Sequence, residues 1–296
     1  MGWELCPEDR VLVAPGTLHR DYILTPYEPP VDPAGRLQPE SLLRALLRER
    51  GLLEAALPVM ATLQEALGRD ETVWGAKYGP NGFSVELYFY NFTQNAADND
   101  KSVTRLQEVL RPHLRFSGRL DEAKPYFMCS FELDEAALRS GEGGCFRIYG
   151  RTGDEARREG GFSYRVEDDA LVLENHYWFY EAAKKEELED AVRRVVASPR
   201  SGQKSCWGTL LPKYLRECFT LCYAVKPRHD GLYYSRIRTG QLARFLRRHG
   251  HAPLAELLAH HEADFAHLVW DLGFDFAAAP SATSLTIDKL GIHGIF

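Results

Sequence analysis

Four stretches of this chain alternate so regularly that each, laid out as a strand, has two chemically different faces. Side chains point to opposite sides at successive strand positions. In SVELYFY one face is Ser84, Glu86, Tyr88 and Tyr90, and the other is Val85, Leu87 and Phe89. CFRIYGR divides into Cys145, Arg147, Tyr149 and Arg151 against Phe146, Ile148 and Gly150. VLENHYWFY divides into Glu174, His176, Trp178 and Tyr180 against Leu173, Asn175, Tyr177 and Phe179. CFTLCYAVK divides into Cys218, Thr220, Cys222, Ala224 and Lys226 against Phe219, Leu221, Tyr223 and Val225. Helices would cover the apolar faces. The other faces mix charge, tyrosine and small residues. A solvated open sheet seldom collects so much aromatic surface, and Thr220, Cys222 and Ala224 are too small and apolar for one. A sheet closed into a barrel, with helices outside and a polar and aromatic lumen, accounts for both faces at once.

The order of elements agrees. SLLRALLRER and PVMATLQEAL have helical spacing, broken by Gly51 and Pro58. WGAKYGPNGFSVELYFY is a hairpin about GPNG, and DKSVTRLQEVLRPHL is a helix for which ADND serves as loop and cap. KPYFMCSFELD and GGCFRIYGR are strands, FSYRV and ALVLENHYWFYEA pair about EDD, and KKEELEDAVRRVVAS is an amphipathic helix. A last hairpin and its helix follow, CYAVKPRHDGLYYSRIRTGQLARFL, then PLAELLAHHEADFAHLVW as a long helix and SLTIDKLGIHGIF as a final strand. Strands joined by short turns argue for an antiparallel sheet in an α+β fold. Residues 1–40 are expected to run as an extended, proline-rich segment, and 41–296 as one barrel domain.

The net charge of -6 argues against a nucleic-acid binder. No apolar window approaches the length of a membrane span. MGWELCPEDR carries acids where a signal peptide needs bases, and the six cysteines form no CxxC pair, so they read as free thiols in a cytoplasmic protein. HHEADFAH lacks HExxH spacing and reads as a partly solvated helix face. DDxxD is absent.

The chain resembles the ABBA-type prenyltransferases, most closely the small peptide-modifying members of cyanobactin pathways. The resemblance lies in the element order across residues 55–250. It is carried by WGAKYGPNGFSVELYFY, by MCSFELDEAALRSGEGGCFRIYGR and by CYAVKPRHDGLYYSRIRTGQLARFL. It implies repeated α-β-β-α units closing a barrel, with cations on lumen strands holding an allyl diphosphate and tyrosines shielding the carbocation. The family's basic residues fall on Arg147 and Lys226, and its tyrosines after the last turn fall on Tyr233 and Tyr234. Lys77 and Arg236 join the cations expected at the diphosphate, and Tyr88, Tyr149, Trp178, Tyr180 and Tyr234 form the expected shield and lumen wall. The chain departs where an arginine of the small members is replaced by Glu86, and where GDEARREGG is too short for a full helix.

The chemistry fits these residue types. Fixed cations in a low-dielectric cavity stabilise a departing diphosphate, and arginine suits phosphate oxygens through its planar fork. Aromatic faces stabilise an allyl cation and exclude water. Glu86 or Glu174 could accept the nucleophile's proton, and Glu86 in the lumen would suit a cationic acceptor such as arginine. The expected partners are an isoprenoid diphosphate and a small-molecule or peptide acceptor. Mg2+ stays open as a cofactor, with no residue set that demands it. Two alternatives stand beside transfer: a non-catalytic small-molecule or peptide-binding barrel, and an interaction protein with an open sheet.

Overall fold

A computed structural model describes residues 3–91, 100–151, 159–168, 170–278 and 284–296. Most of ADND, the GDEARR part of the short inter-strand stretch and Asp169 of the EDD turn lie outside the described residues. The strands are β1 (Val73–Gly79), β2 (Gly82–Tyr90), β3 (Arg115–Ser117), β4 (Met128–Asp134), β5 (Glu142–Gly150) and β6 (Glu159–Glu167). They continue with β7 (Ala170–Glu181), β8 (Thr220–Val225), β9 (Asp230–Ile237), β10 (Trp270–Ala277) and β11 (Thr286–Ile295). The helices are α1 (Pro39–Glu49), α2 (Leu53–Leu67), α3 (Val103–Leu110), α4 (Glu135–Ser140), α5 (Lys185–Ala197), α6 (Trp207–Leu210), α7 (Thr239–Arg248) and α8 (Ala252–His260).

The sheet order runs β5, β4, β2, β1, β11, β10, β9, β8, β7, β6, and β6 pairs back onto β5. Every pairing around this circuit is antiparallel. Among the described strands only the short β3, lying parallel to the start of β5, stands outside it. The sheet therefore closes, which removes the open-sheet alternative. The circuit is a closed ten-stranded antiparallel barrel with helices outside it.

The main core is a sleeve between the outer face of the wall and the helices. Leu87, Phe89, Phe131, Phe146, Leu232 and Phe274 contribute from the strands. From the helices come Leu42 and Leu46 of α1, Leu63 of α2, and Leu242 and Phe245 of α7, spaced to lie on one face. α1 ends at Glu49, and just beyond it Gly51 takes a φ of 63° that few side chains adopt cheaply. Pro58 does not break the next helix as expected. It lies inside α2, where burial of Ala56, Val59, Met60 and Leu63 compensates for the missing backbone donor. The long helix expected over PLAELLAHHEADFAHLVW ends at His260, and the chain turns into β10 at Trp270. Among the described residues no helix is long and apolar enough to cross a membrane.

Residues 20–27 do not simply run over the surface. They form a strap that dips into one end of the barrel, and we call that the strap end. Asp21 is its anchor: its Oδ1 accepts the backbone N–H groups of Ile23 (3.1 Å) and Thr25 (3.0 Å), and Arg236 Nε donates to its Oδ2 at 2.8 Å. The opposite end carries the short β1–β2 and β8–β9 turns and is the hairpin end.

Gly273 on β10 faces Tyr233 on β9 across the ladder. A Cβ there would lie 2.5 Å from the Tyr233 ring. Gly273→Ala should therefore displace Tyr233 from the wall into the lumen and destabilise the fold by about 1–3 kcal/mol. Urea unfolding measures the loss, and a ligand-free crystal structure of the variant with Tyr233 unmoved would contradict the argument.

Candidate functional site in the barrel lumen

The barrel encloses a cavity of about 630 Å³ lined from all ten wall strands but also by Asp21, Tyr22 and Ile23 of the strap. Its chemistry changes along the barrel axis. Near the hairpin end, Glu86 on β2 stands directly opposite Glu132 on β4. Like charges so placed repel. Lys77 on β1 resolves the conflict: its Nζ contacts Glu86 Oε2 and lies 3.3 Å from Glu132 Oε2. Lys289 adds a second cation, 3.0 Å from Glu132 Oε1. Arg147 lies 3.8 Å from Glu86 and 3.7 Å from Glu132, and its Nε donates to Glu174 at 2.7 Å. Arg165 donates to Glu174 at 3.1 Å and also pairs with Glu167 at the rim. Lys226 donates to Asp275 at 2.6 Å and to the Tyr233 hydroxyl at 2.9 Å. Arg228 borders the cavity on the exposed β8–β9 turn.

Burial and charge tune these groups against one another. Burial pulls Lys77 down to about 7, against the pull of Glu132 in the other direction. Burial alone would raise Glu132, but Lys77, Lys289 and Arg147 together hold its carboxyl far below the usual range. Burial alone would lower Arg147, but Glu174, Tyr149 and Glu132 together raise it above its ordinary value. Burial would also lower Lys226, but Asp275 and Tyr177 together raise it.

Above this charged layer lies a belt of rings. Tyr22 packs edge-on to Tyr88 (centroids 5.2 Å apart), Tyr90 (6.0 Å) and His293 (4.8 Å). Tyr149 and Tyr177 are 6.2 Å apart, and Tyr177 and Tyr233 are 6.5 Å apart. Burial raises all six phenols, so they are neutral. Burial also lowers His293 to about 3. Lys77 lies 5.9 Å from the Tyr88 ring centre and Lys226 lies 5.5 Å from that of Tyr233, which joins the two layers.

Of the residues expected from sequence, Lys77, Glu86, Arg147, Glu174, Lys226, Tyr88 and Tyr149 all border this one cavity. Trp178, Tyr180 and Tyr234 do not, and these three are corrected. A bulge between β6 and β7 sets Ser163 opposite Asn175 but Tyr164 opposite Leu173, so Glu174 is the extra residue. The bulge shifts the phase of β7: Glu174 turns inward, and beyond it Asn175, Tyr177 and Phe179 face the lumen. Trp178 and Tyr180 belong to the outer core, where Arg194 of α5 lies 4.5 Å over the Trp178 ring and donates to the Tyr180 hydroxyl at 2.8 Å. On β9 adjacent tyrosines face opposite ways. Tyr233 points inward, and Tyr234 donates to the Leu210 carbonyl at 2.5 Å on the helix side. Arg236 does not join Arg147 and Lys226. Six residues of strand separate it from Asp230 at the hairpin end, roughly 20 Å, and it pairs with Asp21 of the strap.

Glu132, Lys289, Asp275, Tyr177, Tyr22 and Asp271 were not singled out from sequence. MCSFELD alternates Met128, Ser130 and Glu132 with Cys129, Phe131 and Leu133, and WDLGFDFA alternates just as cleanly. Splitting those two strands into faces would have found Glu132, Asp271 and Asp275. His261 of HHEADFAH makes a 2.8 Å contact with Asp264. Among the described residues no group of three or more His, Cys, Asp or Glu could hold a metal ion.

No family model matches this chain, and no curated protein matches it. Among solved structures the chain is similar to the crystal structure of AnaPT from Neosartorya fischeri, with a TM-score of 0.49 and 10% sequence identity. The match covers 86% of this chain and 91% of that one.

Glu132→Gln should remove the charge that Lys77 and Lys289 share. Breaking a buried pair costs about 3–5 kcal/mol, and the partial exposure of Glu132 reduces this to about 2 kcal/mol. Adding Lys289→Met should recover part of the loss, as a double-mutant cycle by urea unfolding would measure. Strict additivity of the two changes would mean that the pair does not interact.

Proposed function

We propose that the protein transfers an allyl (prenyl) group from an isoprenoid diphosphate to a nucleophilic small-molecule or peptide acceptor. The observation that carries this reading is the layering of one enclosed cavity, with a charged network rich in fixed cations directly beneath a belt of neutral tyrosines. In this reading Lys77, Arg147, Lys226 and Lys289 hold the diphosphate, and Arg228 closes on it from the rim. The allylic C–O bond breaks, its electron pair leaves with the diphosphate, and the cations stabilise that charge in a low-dielectric site. The allyl cation forms against the faces of Tyr88, Tyr149, Tyr177 and Tyr233, which favour positive charge and keep water away. The acceptor then bonds to the same carbon and gives up a proton.

Glu86 is less suited to take that proton than its position in sequence implied. Its oxygens already receive Tyr88 OH (2.6 Å), Ser130 Oγ (2.5 Å) and Lys77. We assign Glu86 and Glu174 to orienting Lys77 and Arg147. Residues 41–296 act in this reading as one barrel domain in the cytoplasm, with the extended segment before it.

Dimethylallyl diphosphate at about 100 times its Kd should stabilise the protein by about 2.7 kcal/mol, seen as a rise in Tm. Absence of any shift with dimethylallyl, geranyl and farnesyl diphosphates would overturn the proposal. Binding to each without release of diphosphate in the presence of varied acceptors would leave a non-catalytic binding barrel. Arg147→Ala should weaken diphosphate binding at least tenfold with the barrel still folded, checked by circular dichroism.

Lys77 gives a pH signature. Its amine titrates near neutrality, and an entering anion favours the charged form, so binding takes up a proton. Affinity for dimethylallyl diphosphate should therefore fall as pH rises from about 6 to 8. The ligand's own titration contributes too, so Lys77→Arg, whose charge is fixed, is the reference. The fall in wild type should exceed the fall in Lys77→Arg, and identical profiles would remove Lys77 from the diphosphate site.

A further inference from the structure

The balance of charge differs between the two ends of the lumen. At the hairpin end Glu86, Glu132, Glu174 and Asp275 each have a cation against them. At the strap end Asp21 has Arg236. Asp271 forms no ion pair among the described residues, although it is 7% exposed and borders the cavity. Its Oδ2 accepts the backbone N–H of Tyr22 at 3.3 Å. The Arg236 charge acts on it from a distance, but the guanidinium is paired with Asp21 instead. His293, whose Nδ1 lies 3.1 Å from the Asp271 carbonyl, is neutral. Burial, and then the negative charge of Asp21, push the Asp271 carboxyl well above its usual range. A carboxyl in such a position holds its proton until a cation arrives. Among the described residues no cation of the wall pairs with it, and the cavity is the open route to it.

The geometry points to Asp271 as the docking group for a cationic acceptor, a guanidinium or ammonium group that enters among the rings of Tyr22, Tyr88 and Tyr90. A guanidinium can give two parallel hydrogen bonds to one carboxylate, and tyrosine faces add cation–π attraction in a desolvated site. As the cation docks, the carboxyl proton leaves to solvent. The mouth suits a charged group carried on a larger, partly apolar molecule. Ile23, Phe179 and Phe219 border the cavity and are 43%, 42% and 51% exposed. Glu86 cannot serve in this role because Lys77, Tyr88 and Ser130 already occupy it. The word acceptor rests on the transfer reading above, but the cation site itself rests on the cavity and its charge.

Calorimetric titration tests the assignment with three probes: N-acetyl-L-arginine amide, N-acetyl-L-lysine amide and the neutral isostere N-acetyl-L-citrulline amide. Each is titrated into wild type and Asp271→Asn, with and without dimethylallyl thiolodiphosphate. At least one cationic amide should bind wild type tenfold or more tightly than the citrulline amide. That ratio should fall to within twofold in Asp271→Asn, while affinity for the thiolodiphosphate stays the same. Equal binding of cationic and neutral amides, or a ratio that survives Asp271→Asn, overturns the assignment. Should the variant fail to fold, the wild-type ratio alone decides. Loss of thiolodiphosphate binding with cation selectivity intact would overturn the transfer reading and leave the cation site standing.

Discussion

Lys77 between Glu86 and Glu132 is the contact on which the lumen depends. The β2–β4 register sets two carboxylates directly opposite each other in a closed barrel, with Glu86 2% exposed. Without a cation between them the pair would repel, and one would protonate or the register would slip. A slip of one residue would turn Val85, Leu87 and Phe89 into the lumen and strip the sleeve beneath the helices. Lys77 ties β1 to β2 and β4 at that point. Lys289 ties in β11, and Arg147 passes the connection through Glu174 to β7. The polar network thus acts as a hoop inside the wall, while the apolar sleeve acts outside it. Such networks contribute little net stability compared with apolar packing of the same volume. Their retention here argues that the inward charges serve a ligand.

The sequence made the barrel legible because strand alternation in β2, β5 and β8 is uninterrupted. There the assignment of faces needed nothing but the period of two, and Glu86, Tyr88, Arg147, Tyr149 and Lys226 followed from it. It failed where the backbone departs from that period. One bulge in β7 brought Glu174 inward and sent Trp178 and Tyr180 to α5, and no residue type in LVLENHYWFY announces it. A second irregularity, opposite Trp270 to Leu272, leaves Arg236 at φ 54° and turned towards the strap. Tyr234 failed for a simpler reason, since two neighbouring strand tyrosines cannot share one face. Lys289 was also within reach, because TIDKLGIHGI was already read as a strand. The strap was not, because nothing local in RDYILTPYE states that Asp21 will meet Arg236, 215 positions away in the chain.

That long-range pair explains a backbone cost. Holding a non-glycine residue in the left-handed region costs about 1–2 kcal/mol, and Arg236 meets it at a barrel strand. The return is geometric. The turn brings its guanidinium to the 4% exposed carboxylate of Asp21, while its ring-facing side lies 4.1 Å from Phe219. Asp21 in turn folds Ile23 and Thr25 about itself, and the next residue, Tyr22, is thereby fixed within the ring belt. The strap consequently supplies part of the lumen surface, and the wall strands alone would leave Tyr88, Tyr90 and His293 open at that end.

Charge and shape then run along the same axis. From the hairpin end inward the lumen passes from paired cations through neutral phenols to Asp271, which accepts the Tyr22 N–H and, among the described residues, pairs with no cation. An anionic group and a positively charged group are therefore favoured at opposite ends of one cavity. A ligand that separates charge along the barrel gains from both ends at once, whereas a neutral ligand of equal size gains from neither. The strap sharpens the contrast, because Asp21 claims Arg236 and keeps the guanidinium from neutralising Asp271. The arrangement that anchors the strap is thus the same one that leaves a carboxyl waiting for a cation.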